Sequence, residues 1–243
     1  MLSPLVSIIV PVFNARTTLA KTLISAINQQ YPAKEILVID GGSTDGSLEI
    51  VNQFRSQIHF SISEPDSGVY QAINKGLERA KGSWILILGA DDYLSDTDVL
   101  ANCFQDAPQD CELILGDVIN FGSEHSLVPL RYHNTMSRRL YWKNTMHQQG
   151  VFYQRRIFEN FRFNESYKVL ADYDLHLMLL KNGVKWYSVD KVIAHCSAGG
   201  LSKQFKTALY REELKIKRSR LSPWIFMLNI PWVWIKYVIK KLG

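Results

Sequence analysis

The sequence is poor in cysteine and has neither a long apolar run nor a charged leader, and each absence excludes a class of protein. Three of the 243 residues are cysteines and no two form a close pair, which excludes a disulfide framework and a zinc site built from cysteine pairs. The first residues lack the charged and apolar parts of a secretory signal. We therefore expect a cytoplasmic protein with reduced thiols.

Two fingerprints of nucleotide-binding proteins are also missing. The first predicted strand, Val6–Phe13, is followed by neither G-x-G-x-x-G nor G-x-x-x-x-G-K-[ST], so dinucleotide and P-loop sites lack their signatures. A helix, a second strand over 35–40, a Gly-rich loop over 41–47 and another helix nevertheless follow in that order. This order is the general form of a mononucleotide-binding half of an α/β protein.

Positive charge is concentrated at one end of the chain. Residues 203–243 contain ten Lys and Arg and two acids, a net charge of +8, whereas the whole chain carries +5. The rest of the chain is therefore slightly acidic, at −3. A basic tail on an acidic body indicates that the tail meets an anionic surface, and it does not favour a nucleic acid partner.

The apolar run Ile85–Leu88 leads almost directly into two adjacent carboxylates, Asp91 and Asp92. Such a run is typical of a strand buried on both faces at the centre of a parallel sheet. Ligands bind beyond the carboxyl ends of these strands, and Mg²⁺ or Mn²⁺ would neutralise the paired acids. The alternative is a solvated turn in which Asp92 caps the next helix, and the residues alone leave both open.

Asp40 ends the second predicted strand in the same way. We expect it to contact a ligand, because its strand and the strand before Asp91 are expected to lie side by side. The alternative is that Asp40 ties down its own turn. For Lys75, on the predicted helix 69–80, the residues favour an ordinary surface lysine.

Acids return in a predicted helix that begins at Ala171. Asp172 is the better candidate for a general base, whereas Asp174 is equally well explained as a partner of the helix dipole. Upstream, residues 121–149 lack a clear period, which is typical of a segment that shapes a substrate pocket. Downstream, His195 is either a metal ligand or a core histidine, and the sequence alone favours the core.

The tail contains a predicted helix that starts with Ser222 and Pro223, an N-cap followed by proline at the first helical position. Its apolar stretch, 224–235, is twelve residues long, short of the roughly 20 that cross a bilayer. The tryptophans and lysines along it are typical of an amphipathic helix at an anionic membrane surface. The alternative is a helix docked on the protein's own core.

Five stretches taken together resemble family 2 glycosyltransferases. They are Val10–Asn14, Val38–Gly46, Asp66–Gly76, Gly89–Asp92 and Ala171–Leu175. The resemblance implies the α/β GT-A fold, one Rossmann-like mixed sheet flanked by helices, over residues 1–202. It places a nucleotide-binding half at about 1–118 and an acceptor half at about 119–202, followed by the amphipathic helical tail at 203–243.

The resemblance also implies roles for individual residues. The implied nucleotide-binding residues are Pro11, Phe13, Asn14, Asp40, Asp66, Lys75 and Asp91. Asp91 would hold Mg²⁺ or Mn²⁺ on the diphosphate with Asp92 assisting, and His195 aligns with a region that supplies a histidine ligand in some relatives. Asp172 is the implied general base.

The implied activity is an inverting transfer of a sugar from a nucleotide-diphosphate sugar to a saccharide or lipid-linked acceptor in cell-surface polysaccharide synthesis. UDP is the expected nucleotide, and the tail implies a peripheral location at the inner face of the cell membrane. Gly89 and Ala171 replace acids of the family's D-x-D and E-D motifs, which also suits a catalytically silent protein that binds sugar nucleotides or lipids. A sugar-nucleotide nucleotidyltransferase has a similar sheet, but residues 14–17 do not supply its Gly-rich, Arg-containing loop.

Overall fold

A computed structural model describes residues 3–122, 129–197 and 207–242, whose nine strands form one mixed sheet. The strands are β1 (Val6–Val12), β2 (Lys34–Asp40), β3 (Phe60–Ser63), β4 (Trp84–Ile87), β5 (Tyr93–Leu94), β6 (Leu113–Phe121), β7 (Arg131–Tyr132), β8 (Val151–Gln154) and β9 (Trp186–Ser197). The α-helices are α1 (Leu19–Ile27), α2 (Ser47–Gln53), α3 (Val69–Arg79), α4 (Val99–Phe104), α5 (Ala171–Lys181), α6 (Thr207–Arg220) and α7 (Pro223–Leu242). The strand order is β3-β2-β1-β4-β8-β6-β9-β5, with β7 paired to β6. The predicted mixed α/β sheet is confirmed.

Strands β3, β2, β1 and β4 form a parallel block whose carboxyl ends share one edge of the sheet. β4 pairs in parallel with β1 but antiparallel with β8. The prediction that the run before Asp91 lies at the centre of a parallel sheet is therefore wrong in part, because the parallel block ends at β4. The run is apolar because both sheet faces are covered: Leu86 packs into one core, and Ile85 and Ile87 pack into the other.

β1 lies between β2 and β4 and so separates Asp40 from Asp91. Val12 of β1 pairs with Asp40 on one side. On the other side, Ile9 pairs with Ile87 of β4. The prediction that the strands ending at Asp40 and Asp91 lie side by side is wrong, because the first strand of the chain takes the place between them.

Alternating residues of the strands build two apolar cores, one on each face of the sheet. In β1, Ile8 points into a core that includes Leu19 and Leu23 of α1, whereas Ile9 points into a core that includes residues of α3 and α5. Burial of these apolar faces is the main force that holds the helices on the sheet. The two cores thereby fix the strand ends and helix starts from which the site is built.

The second half of the chain is less regular than the first. Residues 129–150 contain β7 and two short 3-10 helices, Arg138–Tyr141 and Gln148–Gly150. The apolar pattern of residues 185–196 by itself predicts two short strands, 185–189 and 192–196. The structure has one strand, β9, because it pairs with β6 on both sides of an irregularity in register near Asp117.

The tail is a pair of packed helices, α6 and α7, and α7 begins at Pro223 as predicted. Asn229 and Val233 of α7 are buried, and α6 packs in turn against α5. None of the helices in the three described segments combines the length and apolarity needed to cross a membrane. The predicted domain boundary after residue 202, and Lys203 and Lys206 of the basic tail, lie outside the described residues.

Candidate active site

A cleft of about 1240 Å³ lies beyond the carboxyl ends of β1 and β4. Its floor and walls come from distant parts of the chain, which meet only in the fold. The contributing segments are the end of β1, the start of α3, the turn after β4, residues 143–149, residues 168–173 and the facing sides of α6 and α7. The position matches the general rule that open α/β sheets bind ligands outside the carboxyl ends of their strands.

The turn after β1 forms one wall of the cleft, with Pro11, Phe13 and Asn14 among its lining residues. Asn14 has a positive φ of 48°, a conformation that asparagine tolerates better than most residues. Its backbone N–H donates to Ser43 Oγ at 2.8 Å, and its side-chain oxygen accepts from the Thr44 N–H at 3.0 Å. This turn leaves the Phe13 ring 64% exposed at the cleft.

Asp40 is buried, and its carboxylate is occupied by its own turn. It accepts hydrogen bonds from the N–H groups of Gly42 and Ser43 at 3.1 and 3.0 Å, and from Ser63 Oγ at 2.6 Å. Asp40 is not among the cleft-lining residues. The structure thus favours the structural alternative for Asp40, because the donors of the Gly-rich loop converge on its carboxylate.

Asp66 faces the cleft, whereas Lys75 does not. The Asp66 carboxylate accepts from the Gly68 N–H at 3.0 Å and packs against Gly41, where a Cβ atom would lie 2.5 Å from Asp66 Oδ2. Gly41 therefore gives Asp66 the room to sit at the cleft. Lys75 forms an ion pair with Glu64 at 2.8 Å and is absent from the cleft lining, so it supports the loop before α3.

Asp91 and Asp92 both line the cleft, but their carboxylates have different surroundings. Asp92 is buried and accepts from Gln149 Nε2 at 2.8 Å and from the Ser197 N–H at 2.9 Å. Through these two hydrogen bonds Asp92 links the turn after β4 to the segment before β8 and to the end of β9. A Cβ atom at Gly89 would lie 2.5 Å from Asp92 Oδ2, so glycine at this position makes room for the Asp92 carboxylate.

His195 lies outside the cleft lining, although its neighbours Cys196 and Ser197 belong to it. The His195 ring stacks on Tyr93 with 4.9 Å between ring centroids. Burial and the nearby Lys21 ammonium lower the pKa of His195, which favours the neutral ring. The structure therefore does not bring His195 to the cleft beside Asp91, and its half-buried ring packs against Tyr93 instead.

The part of the chain that the structure describes contains no cluster of three His, Cys, Asp or Glu side chains able to hold a metal alone. The half-buried Asp91 carboxylate at the cleft, with Asp92 beside it, still fits the divalent ion that the resemblance implies. Mg²⁺ is usually held by one or two carboxylates and completes its shell with substrate phosphates and water. The residues present thus suit an ion that arrives together with a diphosphate.

Asp172 lines the same cleft from the first turn of α5. Its Oδ1 lies 3.4 Å from the Tyr70 hydroxyl, which is held 2.6 Å from the Val169 carbonyl oxygen. Burial raises the pKa of Asp172 to about 6, against hydrogen bonds that act in the opposite direction. The carboxylate is therefore ionised near neutral pH and basic enough to accept a proton.

Asp174 follows two residues later and has a structural role. It is buried and forms a bidentate ion pair with Arg220, at 2.5 Å to Nε and 2.7 Å to the terminal guanidinium nitrogen. Arg220 is the last residue of α6. This pair attaches the tail to the helix that carries Asp172.

Several cleft residues were not identified from the sequence. The irregular segment supplies Asn144, His147 and Gln149, and the tail supplies Tyr210, Glu213, Lys236, Ile239 and Lys240. The missing period of residues 121–149 was the available signal for the first group. No local sequence pattern identifies the tail residues as part of the cleft, because they reach it only through the packing of α6 and α7 against the rest of the protein.

Comparisons with known proteins identify the family of this chain. A family profile described as "Glycosyl transferase family 2" matches residues 7–181. A "PGL/p-HBAD biosynthesis glycosyltransferase" from Mycobacterium tuberculosis is 34% identical over 225 residues, covering 88% of this chain and 84% of that protein. The putative teichuronic acid biosynthesis glycosyltransferase TuaG of Bacillus subtilis is 40% identical over 92 residues, 37% of this chain and 36% of that protein.

Solved structures show the same fold. Staphylococcus aureus TarS in complex with UDP-GlcNAc superposes with a TM-score of 0.71 at 20% identity, covering 87% of this chain and 65% of that chain. The mannosyltransferase PcManGT of Pyrobaculum calidifontis, in complex with GDP-Man and Mn²⁺, gives 0.68 at 19% identity over 98% of this chain and 74% of that one. From the profile match and the mycobacterial relative, the chain belongs to glycosyltransferase family 2, and its sheet has the GT-A fold that the motifs implied.

Proposed function

We propose that this glycosyltransferase transfers a sugar, with inversion, from a UDP-linked donor to a saccharide or lipid-linked acceptor in cell-surface polysaccharide synthesis. The observation that carries the proposal is that Asp91 and Asp172 line one cleft at the carboxyl ends of the parallel strands. Inversion needs a base on the face of the sugar opposite the leaving group. A cleft with one acid on the donor side and one beside the acceptor segment suits that requirement.

The donor end of the cleft is suited to a nucleotide. The exposed Phe13 ring offers a flat apolar face to a base, and the pocket around it includes Pro11 and Asn14. Asp66, held by the Gly68 N–H, is an acceptor for ribose hydroxyls. Asp40 and Lys75 stabilise this end of the cleft indirectly. Asp40 accepts a hydrogen bond from the Gly42 N–H in the Gly-rich loop, and Lys75 pairs with Glu64 in the loop before α3.

Asp91 is the residue proposed to hold a divalent ion, Mn²⁺ or Mg²⁺, with Asp92 beside it. When bound, the ion offsets the negative charge of the diphosphate leaving group. PcManGT is described with Mn²⁺ and GDP-Man, which supports a metal in this fold. Asp92 contributes by fixing the turn that carries Asp91, since its own carboxylate binds Gln149 and the Ser197 N–H.

Asp172 is the proposed general base. Its Oδ1 or Oδ2 takes the proton from the acceptor hydroxyl while the hydroxyl oxygen bonds to the anomeric carbon, and the bond from that carbon to the diphosphate oxygen breaks, releasing the nucleoside diphosphate. Tyr70 positions the carboxylate through its hydroxyl, which burial and the Asp172 charge keep protonated by raising the pKa of Tyr70 well above its usual value. Since the pKa of Asp172 is about 6, the base is available at the pH of the cytoplasm.

The outer face of α7 supports a peripheral location at an anionic membrane surface. Trp224, Met227 and Leu228 are 78%, 59% and 63% exposed, and Ile235 further along the helix is also exposed. These positions recur at three- and four-residue spacing and so form one apolar stripe on the side facing away from α6. An apolar stripe on a basic helix is the usual composition of an interfacial helix.

Nucleotide binding tests the proposed activity. The melting temperature of the purified protein is measured with UDP, GDP and dTDP, each with and without Mn²⁺. Stabilisation by UDP that requires Mn²⁺ is the expected result. A larger rise in melting temperature with GDP than with UDP would indicate a GDP-linked donor, and no rise with any nucleotide would contradict the proposed function.

Vesicle binding tests the proposed location. The double variant Trp224→Glu/Leu228→Glu is compared with wild type for sedimentation with phosphatidylglycerol vesicles. The expected result is loss of binding, with binding retained in the control Ile24→Glu, which places a glutamate on an exposed apolar residue of α1. Equal binding by all three proteins would contradict the membrane role of α7.

A further inference from the structure

Both acids and lysines line the cleft. Asp66, Asp91 and Asp172 line it from the loops after the parallel strands and from α5, whereas Lys143, Lys236 and Lys240 line it from the irregular segment and α7, with Glu213 paired to Lys236. Opposite charges in one cleft suit two different ligands, a cation with its nucleotide at one end and an anion at the other. The acceptor must enter beside Asp172, and Lys143 immediately precedes Asn144, whose side chain hydrogen-bonds the Asp172 carboxylate.

The tail end of the cleft is firmly attached to the body at residues 168–170. Glu212 of α6 accepts hydrogen bonds from the N–H groups of Lys168, Val169 and Leu170 at 2.8, 2.9 and 2.6 Å. These residues immediately precede the helix of Asp172. The position of α6 and the position of the proposed base are therefore coupled.

A second attachment joins the tail to the irregular segment. The Trp142 carbonyl oxygen accepts from Lys217 Nζ at 2.9 Å and from the Trp232 indole N–H at 3.2 Å. Glu213 pairs with Lys217 at 2.7 Å and with Lys236 at 2.5 Å. One carboxylate thus offsets two ammonium groups, and this side of the cleft keeps a net positive charge.

The apolar stripe of α7 runs into this basic end. Ile239 is 56% exposed and also lines the cleft, so it belongs to both surfaces. Ile235 and Val238 continue the stripe away from the cleft along the same helix. An amphiphile whose chain follows the stripe would therefore bring its polar end to the lysines.

We propose that the tail end of the cleft binds the phosphate of a lipid-linked acceptor, with Lys240, Lys236 and Lys143 around the phosphate and Ile239 against the first part of the lipid chain. This inference rests on the proposed function and specifies its acceptor as an amphiphile with phosphate between lipid and sugar. A free anionic saccharide fits less well, because it would leave the exposed apolar stripe beside the lysines without a partner.

Calorimetric titration with geranyl phosphate, a short water-soluble prenyl phosphate, tests this site. Wild type is expected to bind the probe saturably, and Lys240→Gln is expected to weaken binding about tenfold, since a charge-assisted hydrogen bond to phosphate is lost. Lys191→Gln is the matched control, as Lys191 is an exposed lysine outside the cleft lining. Ile239→Gln is expected to weaken binding of geranyl phosphate and to leave any binding of inorganic phosphate unchanged.

Three results would overturn the inference: unchanged affinity in Lys240→Gln, equal affinity of wild type for geraniol, or equal affinity for a glucuronic acid oligosaccharide. The last result would assign the lysines to a saccharide acceptor. The UDP titration in the presence of Mn²⁺ is repeated on each variant. Normal UDP binding without geranyl phosphate binding contradicts this inference alone, whereas loss of UDP binding in wild type contradicts the proposed function.

Discussion

Asp40 and Asp91 follow similar apolar strands, yet the fold uses them differently. The loop after Asp40 turns back on its own strand, and its N–H and hydroxyl groups occupy the carboxylate. The turn after Asp91 instead joins β4 to β5, and the neighbouring Asp92 accepts the hydrogen bonds that fix it. Whether an acid at a strand end serves structure or ligand is thus decided by the donors around it.

Asp172 and Asp174 repeat this contrast within one helical turn. Asp172 lines the cleft and has a raised pKa, whereas Asp174 is fully engaged by Arg220. Two acids two residues apart on a helix point in different directions, so one can face the cleft while the other faces α6. Five experiments test these two comparisons.

The largest effect is expected for Asp172→Asn. Loss of the general base should lower the transfer rate about 10²–10⁴-fold, while UDP binding stays near the wild-type value. The melting temperature at pH 8 should not fall, because a carboxylate whose pKa is raised by burial is less favourable to the fold when ionised. A variant that retains wild-type turnover would contradict the role of Asp172.

The pH dependence of the wild-type transfer rate should show the titration of Asp172. Below its pKa of about 6, Asp172 is protonated and unable to accept a proton, so kcat/KM should fall about tenfold per pH unit on the acid side. Above that pH the base is ionised and this limb should be flat. A profile measured from pH 4.5 to 8 with a falling limb centred near 4 would contradict the raised pKa.

Asp174→Ala should reduce stability more than it affects chemistry. Removing one partner of a bidentate pair leaves Arg220 without its carboxylate, at a cost of about 2 kcal/mol in the free energy of unfolding. Urea denaturation of Asp174→Ala, Arg220→Ala and the double variant measures the coupling directly. Additive effects of the two single substitutions would show that the pair does not attach α6 to α5.

The smallest effect is expected for Asp40→Asn. The amide keeps one acceptor oxygen for the loop but turns an NH₂ group towards donors, so a loss of about 1 kcal/mol is expected. Thermal denaturation measures this loss, and nucleotide affinity should change little. A large loss of UDP affinity at unchanged stability would show that Asp40 contributes to nucleotide binding and would contradict its purely structural role.

Much of the fold could be predicted because its signals are local. The runs over β1, β2 and β4 and the apolar spacing of α1 and α3 depend on neighbouring residues, and they predicted these elements closely. The place of β1 between β2 and β4 depends on long-range pairing and was predicted wrongly. The continuous β9 was missed for the same reason, since its register is set by β6.

The candidate site could be predicted only where the sequence carries a motif. The motif positions Phe13, Asp66, Asp91 and Asp172 do line one cleft. The contribution of the tail could not be predicted, because Lys236 and Lys240 reach the cleft through the docking of α6 and α7 on segments far away in sequence. The composition of the tail predicted a basic helix at a membrane surface. It did not indicate that the same helix also forms a wall of the cleft.

The contrast between Asp91 and Asp40 is tested most directly by calorimetric titration of UDP, with and without Mn²⁺, into wild type, Asp91→Asn and Asp40→Asn. We predict that Asp91→Asn loses the increase in affinity that Mn²⁺ gives to wild type, and that Asp40→Asn retains it. Retention of the Mn²⁺ effect in Asp91→Asn, with its loss in Asp40→Asn at unchanged stability, would contradict the assignment of the cleft's donor end.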